Sequence, residues 1–244
     1  MPLNLTFGRF HWSATWPMTL LTLAAVVGFI DLGRWQWHRA AQKSALLAQF
    51  EAGGHSAVDL AGHRAGELPR YAQVSAQGRY DAQHQFVLDN ISHNARPGFE
   101  VLTPLQTTDG RVLMVNRGWV PLGASRRQLP DVQLDETGSL SVAGRLDDLP
   151  VVGIARGHVP PAAGPAWPKL TSFPTMGDLS TALGRPLIER QLLLNPDEPF
   201  GFVREWQMAG FGPGRHLSYA LQWWSFATLA LVLYAILNRR KAAQ

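Results

Sequence analysis

Two long stretches without a formal charge constrain this chain more than anything else in it. From Phe10 to Ile30 there are 21 consecutive positions free of Asp, Glu, Lys and Arg, densest from Trp16 onward, and from His216 to Asn238 there are 23 more. At 1.5 Å per residue in a helix, each covers about 30 Å, the thickness of a hydrocarbon core. Trp12 and Trp16 stand at one end of the first stretch and Trp35 and Trp37 just past the other, while Tyr219, Trp223 and Trp224 stand near the start of the second. Amphipathic rings favour the headgroup level, so this grouping is what interfacial anchoring produces. No small-x-small cleavage site follows the first stretch: Gly28-Phe29-Ile30-Asp31-Leu32 leads straight into a charged segment, which predicts an uncleaved anchor rather than a signal peptide. The second stretch is too long for an ordinary core helix.

The rest of the composition agrees. Charged residues make up 16% of the chain, where roughly 25% is usual in soluble domains. The net charge of +4 is scattered, with one tight run at Arg239, Arg240 and Lys241. That pattern suits a membrane surface and not a nucleic-acid partner. The chain has no cysteine, which excludes a disulfide framework, an iron–sulfur cluster, a thiolate zinc site and a cysteine nucleophile. Two spans put both termini on one side. The basic run after the second span argues that this side is the cytoplasm, against the opposing votes of Arg34, Arg39 and Lys43 after the first. The expected layout is a cytoplasmic N-terminus (1–14), a first transmembrane helix (15–33), an extracytoplasmic β-rich domain with an initial helical extension (34–214), a second transmembrane helix (215–237) and a cytoplasmic C-terminus (238–244).

Between the spans, Leu32, Trp35, Arg39, Lys43, Leu46 and Phe50 recur every three or four residues, so a helix is expected to continue out of the membrane. Its basic residues are placed to meet lipid headgroups or an acidic partner. A loop is expected over Gly53–Pro69, and beyond it strands at Tyr71–Tyr80, Gln85–Ile91, Phe99–Leu105, Arg111–Pro121 and Ser139–Leu146. Asp109-Gly110 marks a tight hairpin turn with positive φ at both central residues. A Pro/Gly-rich surface loop spans Leu149–Pro174, a short helix Thr175–Leu183 ends at Gly184, and a strand pair is expected at Pro186–Leu194 and Phe200–Met208. Together these predict an α+β membrane protein, two transmembrane helices flanking one antiparallel β-rich domain, a sandwich or partial barrel.

Signs of catalysis are few. Phosphate-binding glycine loops and a GxSxG elbow are absent, and His55, His63, His84 and His93 have no tight ligand spacing. No catalytic residue and no metal site is assigned. His216 opens the second span and at helical spacing lies on a stripe with Tyr219, Ala220, Trp223 and Ala227, with Gln222 off that face. An imidazole at the bilayer edge beside flat apolar surface suits either a haem iron or an interfacial hydrogen bond to headgroups or water. The other unusual cluster is Asn116-Arg117-Gly118-Trp119-Val120-Pro121. On a strand, Arg117 and Trp119 project from one face and Gly118 opens the other to a bulge or a close neighbour. Arg117 and Trp119 are read either as a cation–aromatic brace or as a partner-docking corner.

Three segments resemble the surfeit-locus-one (Surf/Shy) family of cytochrome c oxidase assembly factors. They are Leu32-Gly33-Arg34-Trp35-Gln36-Trp37-His38-Arg39 with Lys43; Arg96-Pro97-Gly98-Phe99, Val101-Leu102-Thr103-Pro104-Leu105, Asp109-Gly110 and the Asn116–Pro121 box; and His216-Leu217-Ser218-Tyr219-Ala220-Leu221-Gln222-Trp223. The resemblance implies two spans flanking an exported β-rich domain. It implies a non-enzymatic role in maturing haem–copper oxidases, with the oxidase catalytic subunit, other assembly factors and the lipid bilayer as partners. It also implies haem a as cofactor, His216 matching the proposed ligand, with Tyr219 and Trp223 beside it. Only nine residues, with a single Arg, precede the first stretch, so a bacterial inner membrane with a periplasmic domain is expected rather than a mitochondrion. Two other functions fit the sequence less closely: a scaffold of oxidase assembly that never touches haem, and an exported tethered enzyme built on the scattered histidines.

Overall fold

A computed structural model of the chain describes residues 2–7, 10–52, 57–125, 128–135, 138–151, 157–207 and 212–241. The chain divides into two compact units, one of Met1–Ala48 with Gly210–Gln244 and one of Gln49–Ala209.

The first unit begins with strands β1 (Pro2–Phe7) and β2 (Phe10–Thr15), which pair antiparallel. Helix α1 (Trp16–Ala52) begins where the first uncharged stretch becomes dense, its first six positions being β2, and runs without a break through the basic segment after it, as the three-to-four-residue spacing there predicts. In chain order, the second unit then contains β3 (Val58–Asp59), β4 (Gln73–Tyr80), β5 (Phe86–His93), β6 (Arg96–Thr107), β7 (Val112–Pro121), β8 (Leu140–Asp147), β9 (Lys169–Thr171), helix α2 (Met176–Leu183) and β10 (Gln191–Leu194). The chain returns to the first unit as helix α3 (Pro213–Leu237) and strand β11 (Arg239–Lys241), which pairs with β2. The small terminal sheet was not expected from the sequence.

Both long helices are apolar enough to cross a membrane, each with a window of mean hydropathy 1.6. Only 6% and 11% of those windows are buried, which separates them from the core helices of a soluble domain. Along α3, Ala220 and Ala227 are the buried positions, and Leu221, Leu229, Leu231, Leu233, Ile236 and Leu237 are exposed. An apolar exposed surface of this kind needs lipid around it.

The second unit is a single eight-stranded sheet in the order β3-β4-β8-β10-β7-β6-β5-β9. Strand β4 also pairs with β6 through Gly78–Tyr80, so β4, β8, β10, β7 and β6 neighbour one another in a ring. All five contribute to one core, including Val74, Tyr80, Leu105, Leu113, Val115, Val142, Leu146, Leu192 and Leu194. A second cluster sets Phe86, Leu88, Leu102 and Met114 against Leu179 of α2. The antiparallel expectation needs correcting: the sheet is mixed, with β10 parallel to β7, β3 to β4 and β9 to β5. Strand β10 follows a helix rather than a hairpin turn, so it can enter between β8 and β7 in either sense.

Local signals read from the sequence correspond in part elsewhere. Helix α2 starts with a capping box between Thr175 and Asp178 and ends at Gly184 in the left-handed region. At the β6–β7 hairpin only Gly110 takes positive φ (83°), and its N–H donates to the Thr107 carbonyl. The loop is therefore the three-residue form, a type I turn closed by a left-handed glycine, rather than the two-residue turn predicted. Of the predicted strand pair, only Gln191–Leu194 is a strand. The described part of Phe200–Met208 makes a single bridge, Val203 to Trp119, and Met208 lies outside the described residues. Within the Pro/Gly-rich loop, β9 pairs with β5, and the Trp167 ring meets His84 and Phe86 edge-on, with centroids at 4.9 and 5.2 Å.

The β6–β7 turn carries its own electrostatic clip. Arg111 donates to Asp109 Oδ2 from Nε at 2.8 Å and from Nη2 at 2.6 Å, and Thr107 donates to Oδ1 at 2.6 Å. The Arg111 hydrogen bond, with Thr107 assisting, holds the Asp109 carboxyl at about 2, below its usual 3.8. Because the folded value is depressed, the clip's stabilisation is complete above pH 3.8 and is lost as pH falls through about 2. Asp109→Asn should accordingly be less stable than wild type at neutral pH, the difference narrowing in acid between those values. Denaturant titrations of both proteins at a series of pH values check this.

Candidate functional site

Helix α3 places His216 in its first turn, after Pro213 at the helix start. The side chain is half-buried, and its Nδ1 lies 2.8 Å from Oε1 of Gln36 on α1. The approach depends on small residues. Gly33 and Ala40, three before and four after Gln36, are buried on α1, and Ala220 on α3 is fully buried. A methyl group at Gly33 would collide with the Trp224 indole. Two turns along from His216, Trp223 stacks on Phe29 at 5.8 Å and 22°, and Phe226 lies 5.8 Å from both rings. At the far end of the same helix pair, the Thr19 hydroxyl and the Tyr234 phenol share a hydrogen bond of 2.5 Å. From Thr19 to Gln36 along α1 is about 25 Å at a helical rise, so the two polar cross-links lie near opposite boundaries of a hydrocarbon core. Small residues with sparse interhelical hydrogen bonds are how helices associate where water supplies no driving force.

The predicted stripe divides on this surface. His216, Ala220, Trp223 and Ala227 lie toward α1, whereas Tyr219 is 47% exposed and Gln222 is exposed. At 100° per residue Tyr219 points about 60° away from His216, enough to turn it out of the helix pair. The structure thus brings His216 and Trp223 to one side of α3 and leaves Tyr219 beside them facing outward. Gln36 is the residue that sequence reading missed. Its spacing from Gly33 and Ala40 marks a face of α1, but nothing in the sequence says that His216 lies opposite.

Arg117 and Trp119 lie in the sheet unit. Strand β7 is bulged here: Trp119 opposes Glu100 and Asn116 opposes Leu102, so Arg117 and Gly118 together face Val101. Gly118 has φ of 113°, and a Cβ on it would sit 2.6 Å from the Val203 carbonyl oxygen. That room lets the segment after β10 come in: Phe202 N–H donates to Arg117 O at 2.7 Å, and Trp119 and Val203 exchange backbone bonds of 2.8 and 3.1 Å. Both alternatives read at Gly118, a bulge and a close neighbour, are present together.

Arg117 is only 3% exposed. Its Nε donates to the Phe200 carbonyl at 2.7 Å, and its Nη1 donates to Gln85 Oε1 at 2.9 Å and to the Val132 carbonyl at 3.2 Å. The guanidinium also lies over the Phe202 ring at 4.9 Å. Desolvation pulls its pKa below the usual arginine value. Trp119 is 7% exposed, donates Nε1–H to the Ile91 carbonyl at 3.2 Å, and meets the His93 ring at 5.2 Å. Side chains this buried have little surface to offer a partner, and the geometry is that of a brace with Phe202 as the aromatic partner of Arg117. The burial favours the brace over the docking corner: neither side chain lines an exposed patch.

The described histidines weighed for an enzyme site have separate partners. His63 Nδ1 bonds the Asp59 carbonyl, His84 pairs with Asp81 at 2.7 Å, and His93 pairs with Glu205 at 3.1 Å. His55 lies outside the described residues. Among the described residues, no three of His, Cys, Asp and Glu are grouped to hold a metal.

A β-rich unit joined at both ends to long apolar helices, with His216 in the first turn of the second of them, describes a membrane-associated protein. Residues 23–228 match the model of the SURF1 family, and the chain belongs to that family. It is also 26% identical over 234 residues to a SURF1-like protein of Monosiga brevicollis, a match covering 89% of this chain and 86% of that protein. The SURF1 family is associated with cytochrome oxidase assembly.

If the Arg117 cluster is a brace, Arg117→Met should strip the Phe200 carbonyl of its Arg117 donor and leave Gln85 Oε1 and the Val132 carbonyl with only Thr103 and the Gln85 amide. Losing hydrogen bonds to a buried charged group costs about 1–3 kcal/mol, so the unfolding free energy should fall by about that amount, with oxidase maturation falling in step. Thermal denaturation alongside an oxidase assay checks this. An unchanged melting temperature with lost maturation would mean that Arg117 serves a partner instead.

Proposed function

We propose that this protein matures a haem–copper terminal oxidase by holding haem a at one end of its helix pair and passing it to the oxidase catalytic subunit, in concert with other assembly factors. The observation that carries the reading is the state of His216. Its Nδ1 is engaged by Gln36, so its Nε2 is the nitrogen left to meet a ligand, at the boundary of the apolar span. The Phe29, Trp223 and Phe226 rings two turns along supply flat apolar surface of the kind that packs on a macrocycle. These residues fit a haem: His216 would offer a nitrogen to the iron, and Trp223, with Tyr219 on the outward side, would border it. When bound, the group supplies the redox-active iron and the macrocycle that the oxidase needs, and this chain contributes binding and orientation. The localisation proposed is a bacterial cell membrane, with the sheet unit on the periplasmic side and both termini in the cytoplasm.

A second reading has its own support. The Gln36–His216 bond resembles the Thr19–Tyr234 bond at the other end of the pair, and both would also serve a scaffold that never touches haem. The exported-enzyme reading gains nothing from His63, His84 and His93, each held by a different neighbour.

The deciding measurement is an absorption spectrum of affinity-purified protein from cells that make haem a, wild type beside His216→Ala. A haem spectrum in wild type that is lost or shifted in the variant is expected. If the wild-type protein carries no haem and His216→Ala still supports oxidase activity, the scaffold reading stands.

A further inference from the structure

We propose that Gln36 is a positioning residue for His216: it locks the imidazole in the Nδ1–H form, so that the lone pair at Nε2 is the one presented to a haem iron. This rests on the haem-contact reading above and adds the residue that makes His216 competent. A neutral imidazole has one N–H and one lone pair, and a carboxamide oxygen can only accept. The 2.8 Å contact between His216 Nδ1 and Gln36 Oε1 therefore puts the proton on Nδ1 and the lone pair on Nε2. Left to itself in water, a histidine side chain favours the opposite tautomer, whose Nε2 bears the proton and cannot bind a metal.

The backbone around Gln36 is arranged to hold this contact. Gly33 and Ala40 bracket it on the same face of α1, the Trp224 indole is seated over Gly33, and Ala220 is fully buried one turn beyond His216. The amide is thus held close to α3 rather than left to rotate on a free surface. A clasp alone would not need these side chains, since the other end of the pair uses two hydroxyls, Thr19 and Tyr234. Gln36–His216 differs in having a nitrogen left over. An orienting partner on the second nitrogen is the usual companion of a metal-bound histidine, and its removal typically lowers metal affinity 10–100-fold.

The test uses the full-length chain in detergent, labelled with ¹⁵N at histidine, as wild type, Gln36→Leu, Gln36→Glu and His216→Ala. Nitrogen chemical shifts report the His216 tautomer without haem, titration with ferric haem b followed at the Soret band reports affinity, and thermal melting reports folding. Wild type should show Nδ1–H. Gln36→Leu should lose that preference and bind haem about tenfold or more weakly, and Gln36→Glu, which keeps the acceptor, should restore both. An unchanged tautomer in Gln36→Leu, or a melting temperature that falls with haem affinity intact, overturns the positioning role while the haem-contact reading survives. Equal haem titrations of wild type and His216→Ala overturn the haem reading itself, and the positioning claim with it, whatever the tautomer.

Discussion

A primary amide or an imidazole facing hydrocarbon without a partner costs several kcal/mol. Gln36 and His216 stand where two apolar helices come together, so each is obliged to find the other or water. That obligation, repeated by Thr19 and Tyr234 at the far end, fixes the register of α1 against α3 more tightly than packing of Leu and Val side chains would. The small residues along the pair follow from it. Gly33, Ala220 and Ala227 between the two bonds, and Ala40 one turn past Gln36, let the backbones approach near enough for short polar bridges, and larger residues there would push the bridges apart.

The sheet unit is organised around a comparable obligation. Arg117 is a charged group almost without exposure, and what satisfies it comes from separate parts of the chain: Gln85 just before β5, the Val132 carbonyl before β8, and the Phe200 carbonyl after β10. A buried cation that draws on carbonyls and an amide gains specificity more than stability, because the acceptors fit only one arrangement of the strands. The Gly118 bulge is the second half of the same device. It opens β7 so that Phe202 and Val203 can bond across it, which places the last stretch of the sheet unit.

Much of this was legible in the chain, and the limit is physical. Runs without charge long enough to cross a bilayer, a short helix ended by Gly184 and a glycine at a hairpin turn are local properties, written within a few residues of where they act. Strand β10 was harder to place. Gln191-Leu192-Leu193-Leu194 is buried on both faces, so it lacks the alternation that reveals a strand's orientation and neighbours. Phe200–Gln207 looks extended but its polar groups are spent otherwise: Arg204 donates to the Asn195 and Glu198 carbonyls, and Phe200 takes positive φ. Arg117 and Trp119 were singled out for being unusual, but only the fold could say that they face inward.

The candidate site shows the same limit most sharply. His216 and Trp223 could be found from helical spacing because they belong to one helix, and Tyr219 was grouped with them because 60° is too fine a distinction for a helical wheel. Gln36 lies 180 residues from His216 along the chain, and no periodicity within either helix connects them. Yet that contact decides what the imidazole can do, since the same hydrogen bond that satisfies one nitrogen determines which one keeps its lone pair. On the haem-contact proposal, a clasp and a ligand-orienting contact are one interaction with two consequences. Selection for helix association alone would act on the strength of the bond, whereas selection for haem contact would act on which nitrogen it occupies. In this chain the bond occupies Nδ1.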